Sequence, residues 1–163
     1  MKEETNATYI IEGKINTYYE DKVLAEATEI LRLRMLGSGS FLESPAAVKN
    51  YLSFKLGSLE HEIFGCVWLN TKHEVLKFQE VFRGTIDGAT VYPREVAKEA
   101  LAVNAAAVIL VHNHPSGNEQ PSQADKLLTT ILKDALALFD IRTLDHIIVG
   151  KDKFYSFAEN GIV

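Results

Sequence analysis

The stretch AAAVILVHNHPSG, Ala105 to Gly117, constrains the fold more than any other. A short, continuously apolar run predicts a strand buried on both faces, at the centre of a sheet covered by helices. This run ends in His112 and His114. Side chains alternate along an extended chain, so both imidazoles face one side of the strand end. The C-terminal ends of central strands are where α/β proteins place their sites. Two imidazole nitrogens presented together form half of a tetrahedral zinc shell. Pro115 and Gly117 then turn the chain. The plainer alternative is a pair of solvated loop histidines.

Downstream, PSQADKLLTTILKDALALFD has the apolar spacing of a long amphipathic helix. Ser122 and Asp125 stand at its start, where a serine cap accepts a backbone amide and an early acid favours the positive helix end. Capping alone explains that S-x-x-D pattern. The first turn of this helix also returns toward the histidine loop, so Asp125 is a candidate third, oxygen, ligand. Two histidines and one carboxylate leave a position open for water, as catalytic zinc sites do.

Ahead of the apolar strand, EIFGCVWL and EVLKFQEVF read as strands joined by a turn at NTKH, and RGTIDGATVY as a third. PREVAKEALAVN predicts a helix with Pro93 at its start. At the C-terminal end, DHIIVG and KFYSFAENGIV read as closing strands. Near the N-terminus, TYIIEG is a possible short strand. DKVLAEATEILRLRML follows as a helix, with Val23, Leu24, Ala27, Ile30, Leu31 and Met35 along one stripe and GSGS as its stop. SPAAVKNYLSFKL predicts a second helix, capped by Ser44, started by Pro45 and burying Ala47, Val48, Tyr51, Leu52 and Leu56. These two helices read as an appendage to an α/β sandwich around a mixed sheet.

The 163 residues suit one domain with a real core. A net charge of -5 argues against sequence-independent binding to phosphate backbones, which needs a basic footprint. Cys66 is the only cysteine, which excludes an internal disulfide and a cysteine-rich zinc knuckle, and fits a cytoplasmic, reducing compartment. No apolar segment is long enough to span a bilayer. The start MKEETNATYIIEGK carries acids where an export signal has a basic region. A zinc deaminase is excluded because H-x-E followed by P-C-x-x-C does not occur.

A zinc hydrolase also needs a group to move protons. Glu60, Glu62, Glu80 and Glu95 are all candidates by position, and composition does not choose among them. His61 and His73 read as surface turn residues. His146 is either a partner of a ligand or, more simply, a satisfied structural histidine. Cys66 and Trp68 read as core, and Arg94 as a possible tie between its helix start and the site loop.

H-x-H, seven residues, Ser, two residues, Asp is the JAMM (MPN+) metallopeptidase signature, met here by His112, His114, Ser122 and Asp125. More narrowly, HNHPSG, PSQAD, LDHIIVG, FRGT and YPREVAKEALAVNAAAVILVHNHPSG resemble the RadC-type MPN domain, from about Tyr51 to the C-terminus. The resemblance implies a cytidine-deaminase-like three-layer sandwich over residues 44–163, preceded by an arm and helix in residues 1–43. It implies Zn²⁺ on His112, His114 and Asp125, and hydrolysis of a peptide or isopeptide bond in a protein or peptide substrate. It nominates Glu62, just before the first strand, as the catalytic glutamate over Glu60, Glu80 and Glu95, and Ser122 as the residue that positions the reacting oxygen. Longer relatives carry helix-hairpin-helix elements suited to DNA. This N-terminal region is too short for them, which weakens the alternative of a DNA-repair or mobile-element accessory protein with structural zinc. A metal-free scaffold ranks last because the ligand set is whole. The N-terminal segment is a candidate homodimer contact.

Overall fold

The computed structural model describes residues 17–37, 45–84, 91–151 and 153–163. Its elements run α1 (Thr17–Gly37), α2 (Pro45–Leu56), β1 (Ile63–Leu69), β2 (Val75–Arg83), α3 (Pro93–Ala102), β3 (Ala107–Asn113), α4 (Gln123–Ala137), β4 (Arg142–Val149) and β5 (Phe154–Ser156). The five strands form one mixed sheet in the order β2-β1-β3-β4-β5. Only β3 and β4 run parallel, with α4 as the crossover between them. Every residue of β1 and β3 is buried, as their apolar runs require.

Strand alternation sorts the core into two sides. Ile63, Val67, Ile109, Val111, Ile147 and Val149 pack with Val48, Leu52 and Leu56 of α2 and Met35 of α1. Phe64, Cys66, Trp68, Val108 and Leu110 pack with Val96 and Ala100 of α3 and Leu132 and Leu136 of α4. Helices therefore cover both faces, giving the expected three-layer α/β sandwich.

Four sequence expectations need correction or fall outside the described residues. First, α2 is no appendage: Val48, Leu52 and Leu56 are fully buried and supply one whole layer. The reason is that β1 and β3 carry apolar residues on both faces, so one helical layer cannot cover them. Second, α1 buries only part of its apolar stripe, with Met35 inside and Val23, Leu24 and Ile30 about half exposed. Third, KFYSFAENGIV is strand only over Phe154–Ser156, because the Asp145 carboxylate accepts the Ala158 N–H (2.9 Å) and the Ser156 hydroxyl (2.7 Å) and curls the chain into turns. Fourth, Gly84, Val91 and Tyr92 are not strand, and residues 85–90 of the expected third strand lie outside the described residues. So do TYIIEG, the Ser44 cap and the SGS that follows Gly37. Pro45 does open α2, and the NTKH turn forms around Asn70, whose Oδ1 accepts the N–H groups of Lys72 (2.9 Å) and Glu74 (3.0 Å). No helix among the described residues is long and apolar enough to cross a membrane.

If α2 is a core layer, truncating Leu52 to Ala should cost about 2–5 kcal/mol of unfolding free energy. Denaturant titration checks this, and a loss below about 1 kcal/mol would return α2 to the status of an attached helix.

Candidate metal centre

The parallel crossover brings the end of β3 and the start of α4 to the same edge of the sheet, and His112, His114 and Asp125 meet there. Each offers one ligand atom, and the three atoms lie within 4.8 Å of one another. His112 Nε2 is 3.0 Å from His114 Nε2 and 3.3 Å from Asp125 Oδ1, and His114 Nε2 is 3.6 Å from Asp125 Oδ2. A tetrahedral ion with bonds of ~2.0–2.1 Å keeps its ligands roughly 3.3 Å apart. The spacing of these donors matches that edge, so the residues fit a metal ion.

The local sequence explains each position. Asp125 Oδ2 accepts both the Ser122 N–H and the Ser122 hydroxyl, each at 2.7 Å, while Ser122 Oγ accepts the Asp125 N–H at 3.1 Å. This is the capping box predicted from S-x-x-D, and it points Oδ1 toward His112. His114 Nδ1 lies 2.6 Å from the Asn118 carbonyl. A carbonyl only accepts, so Nδ1 carries the hydrogen and Nε2 is left bare toward the centre. Gly117, at φ +79°, makes the tight turn between His114 and Asn118. Its carbonyl sits 2.6 Å from where a Cβ on Gly150 would fall, so the loop packs only against a glycine.

His146 is fully buried and stands behind His112, with Nε2 2.8 Å from His112 Nδ1 and Nδ1 2.7 Å from Thr129 Oγ1. It is both alternatives weighed from sequence at once, a satisfied core histidine and the partner of a candidate ligand. Thr129 and Asn118 were missed in the sequence. Thr129 lies one helical turn after Asp125, which is a usable signal, whereas Asn118 acts through its backbone and leaves none.

Of the four candidate acids, Glu60 is exposed, Glu80 pairs with Lys55 at 3.0 Å and Glu95 pairs with Lys98 at 3.4 Å. Glu62 is half-buried and two residues before Phe64, whose ring stacks on His112 at 6.2 Å between centroids. By strand alternation Glu62 belongs to the face that carries the histidines. Asn113, between the two histidines, points the other way. Its Oδ1 accepts the Ile63 N–H (2.8 Å) and its Nδ2 donates to the His61 carbonyl (3.1 Å), which fixes the chain on both sides of Glu62. His61 and His73 do lie in turns, beside Arg83 and Arg142 respectively. Arg94 is exposed and, among the described residues, makes no bond to the site loop.

The electrostatics suit a cation. Burial alone would raise the Asp125 carboxyl, but the His112, His114 and Ser122 side chains that face it outweigh that and hold the group well below the usual carboxylate range. The facing Asp125 raises His114 above its ordinary 6.5, against burial, with smaller help from Asn118 and Glu62. Burial keeps His146 well below that value and therefore neutral. Burial also pushes the Cys66 thiol up, which leaves it an inert core residue.

A metal must displace any proton on His114, so affinity should fall as pH drops, and the fall should begin above 6.5 because His114 is raised. Zinc titration of the purified chain from about pH 8 to about pH 5 should show one site per chain with that dependence, lost in Asp125→Ala. Equal affinity across the range would contradict this assignment of donors.

The sequence pattern of the RadC-like JAB domain matches residues 42–162. A UPF0758 protein of Vibrio cholerae serotype O1 is 55% identical over 143 residues, which cover 88% of this chain and 89% of that protein. A second from the same organism is 51% identical over 148 residues, 91% of this chain and 93% of the relative. A UPF0758 protein of Stutzerimonas stutzeri is 62% identical over 122 residues, 75% of this chain but only 54% of that longer protein. These names carry no activity. With the five-stranded mixed sheet and its flanking helices, they place the chain in the RadC-like JAB domain family.

Proposed function

We propose that the protein is a zinc-dependent hydrolase of the JAMM class that cleaves a peptide or isopeptide bond in a protein or peptide substrate in the cytoplasm. The observation that carries this is the convergence of two imidazole nitrogens and one carboxylate oxygen at tetrahedral spacing, with no fourth protein ligand among the described residues. His112, His114 and Asp125 would hold the ion. When bound, zinc supplies Lewis acidity, which makes water acidic near neutral pH and polarises a carbonyl.

The chain's own residues divide the remaining work. Glu62 takes the proton from water as its oxygen adds to the scissile carbonyl, then passes that proton to the departing amine. Asn113 keeps the Glu62 backbone in register with the strand that carries the histidines. The Ser122 hydroxyl, held at rest by Asp125 Oδ2, is free to swing its single hydrogen to the oxygen on which charge develops.

Incubation with a panel of conjugated proteins and peptides, with and without a chelator, tests this. Glu62→Gln should lower kcat about 10²–10⁴-fold while zinc content stays at the wild-type level. Ser122→Ala should cost about 10²–10³-fold. Wild-type turnover in purified Glu62→Gln would overturn the assignment of the base.

A further inference from the structure

We infer that Thr129, which bonds to His146 and to the backbone carbonyl of Asp125, sets the form in which His112 presents itself to the metal. Only the direction of three hydrogen bonds is needed. Thr129 Oγ1 is 2.6 Å from the Asp125 carbonyl, an acceptor with no hydrogen to give, so the hydroxyl hydrogen lies between those two oxygens. The threonine oxygen must then accept from its other neighbour, His146 Nδ1, at 2.7 Å. A neutral imidazole has one N–H, so His146 Nε2 is bare and accepts from His112 Nδ1 at 2.8 Å. His112 has spent its hydrogen there, and its Nε2 faces the centre as a lone pair.

The alternative arrangement shows why this matters. With His112 Nε2 protonated, it would donate across the 3.0 Å to the bare His114 Nε2, and the two rings would satisfy each other without any cation. The histidine pair therefore has a closed form and a metal-accepting form that differ by the placement of one hydrogen. Thr129 selects the second. The chain of bonds begins and ends on one residue, since Asp125 gives its carboxylate to the centre and its backbone carbonyl to Thr129. The three side chains in the relay are shielded from competing water, with Thr129 and His112 nearly fully buried and His146 fully so.

Replacing Thr129 with Val keeps the shape and removes the hydroxyl. His146 Nδ1–H then has no acceptor, so the ring does better with its hydrogen on Nε2, which drives His112 to the closed form. The inference rests on the metal centre proposed above, and two measurements on the full chain separate the two. Zinc competition with a chromophoric chelator at fixed pH should show Thr129→Val about 10–100-fold weaker than wild type, the usual cost of losing a partner behind a ligand. Thr129→Ser, which keeps the hydroxyl, should stay within about threefold. Ring-nitrogen NMR of the metal-free protein should find His112 with its hydrogen on Nδ1 in wild type and on Nε2 in Thr129→Val. Unchanged zinc affinity in a folded Thr129→Val, or a wild-type His112 with its hydrogen on Nε2, would overturn the inference. The wild-type spectrum needs no substitution and decides even if Thr129→Val fails to fold. A wild type that takes up no zinc would instead remove the metal centre, while the spectrum still decides the direction of the bonds.

Discussion

The candidate site depends on a helix start that cannot be moved without moving Asp125. Asp125 is held through Oδ2 by the backbone and side chain of Ser122, and the same bonds satisfy amides that the first turn of α4 would otherwise leave without partners. Capping uses Oδ2 and leaves Oδ1 facing His112. The cap that closes the first turn also turns Oδ1 toward His112. The parallel β3–α4–β4 connection then sets that turn beside the strand end that carries the histidines.

Around this turn the structure buries several polar groups. His112, Asn113 and His146 are nearly or fully buried. Each is satisfied by specific partners, as a low-dielectric interior demands. Asn113 faces away from the histidines and ties β3 to the segment that carries Glu62, while His112 and His146 face the helix. The strand end thus uses both of its faces, one to fix the candidate base and the other to fix the candidate ligands.

Much of this was legible in the sequence for physical reasons. Period-two alternation put His112 and His114 on one side, and the apolar run before them marked β3 as central. S-x-x-D marked the start of α4, and the cap it forms leaves Asp125 Oδ1 facing His112, where a ligand would stand. The choice of Glu62 came from resemblance, because four glutamates occupy similar positions in sequence and only packing separates them. Glu80 is engaged by Lys55, whose proximity no local pattern reveals, whereas the pairing of Glu95 with Lys98 follows from their i,i+3 spacing on α3. The role of α2 was misread because burial of a helix depends on what lies across from it. The apolar stripe of α2 predicted a buried face but not that it covers a whole face of the sheet. The contact between His146 and His112 links β4 to β3 across the sheet, and such register is fixed by tertiary pairing, beyond any window of sequence.

The central claim is that His112, His114 and Asp125 converge on one metal ion. Anomalous diffraction at the zinc edge, from crystals grown with zinc, tests it most directly. The account predicts a strong peak ~2.0–2.2 Å from His112 Nε2, His114 Nε2 and Asp125 Oδ1, with a further position filled by a non-protein ligand. A zinc-bound crystal with no peak between these three residues, or with Asp125 turned away from both rings, would contradict it.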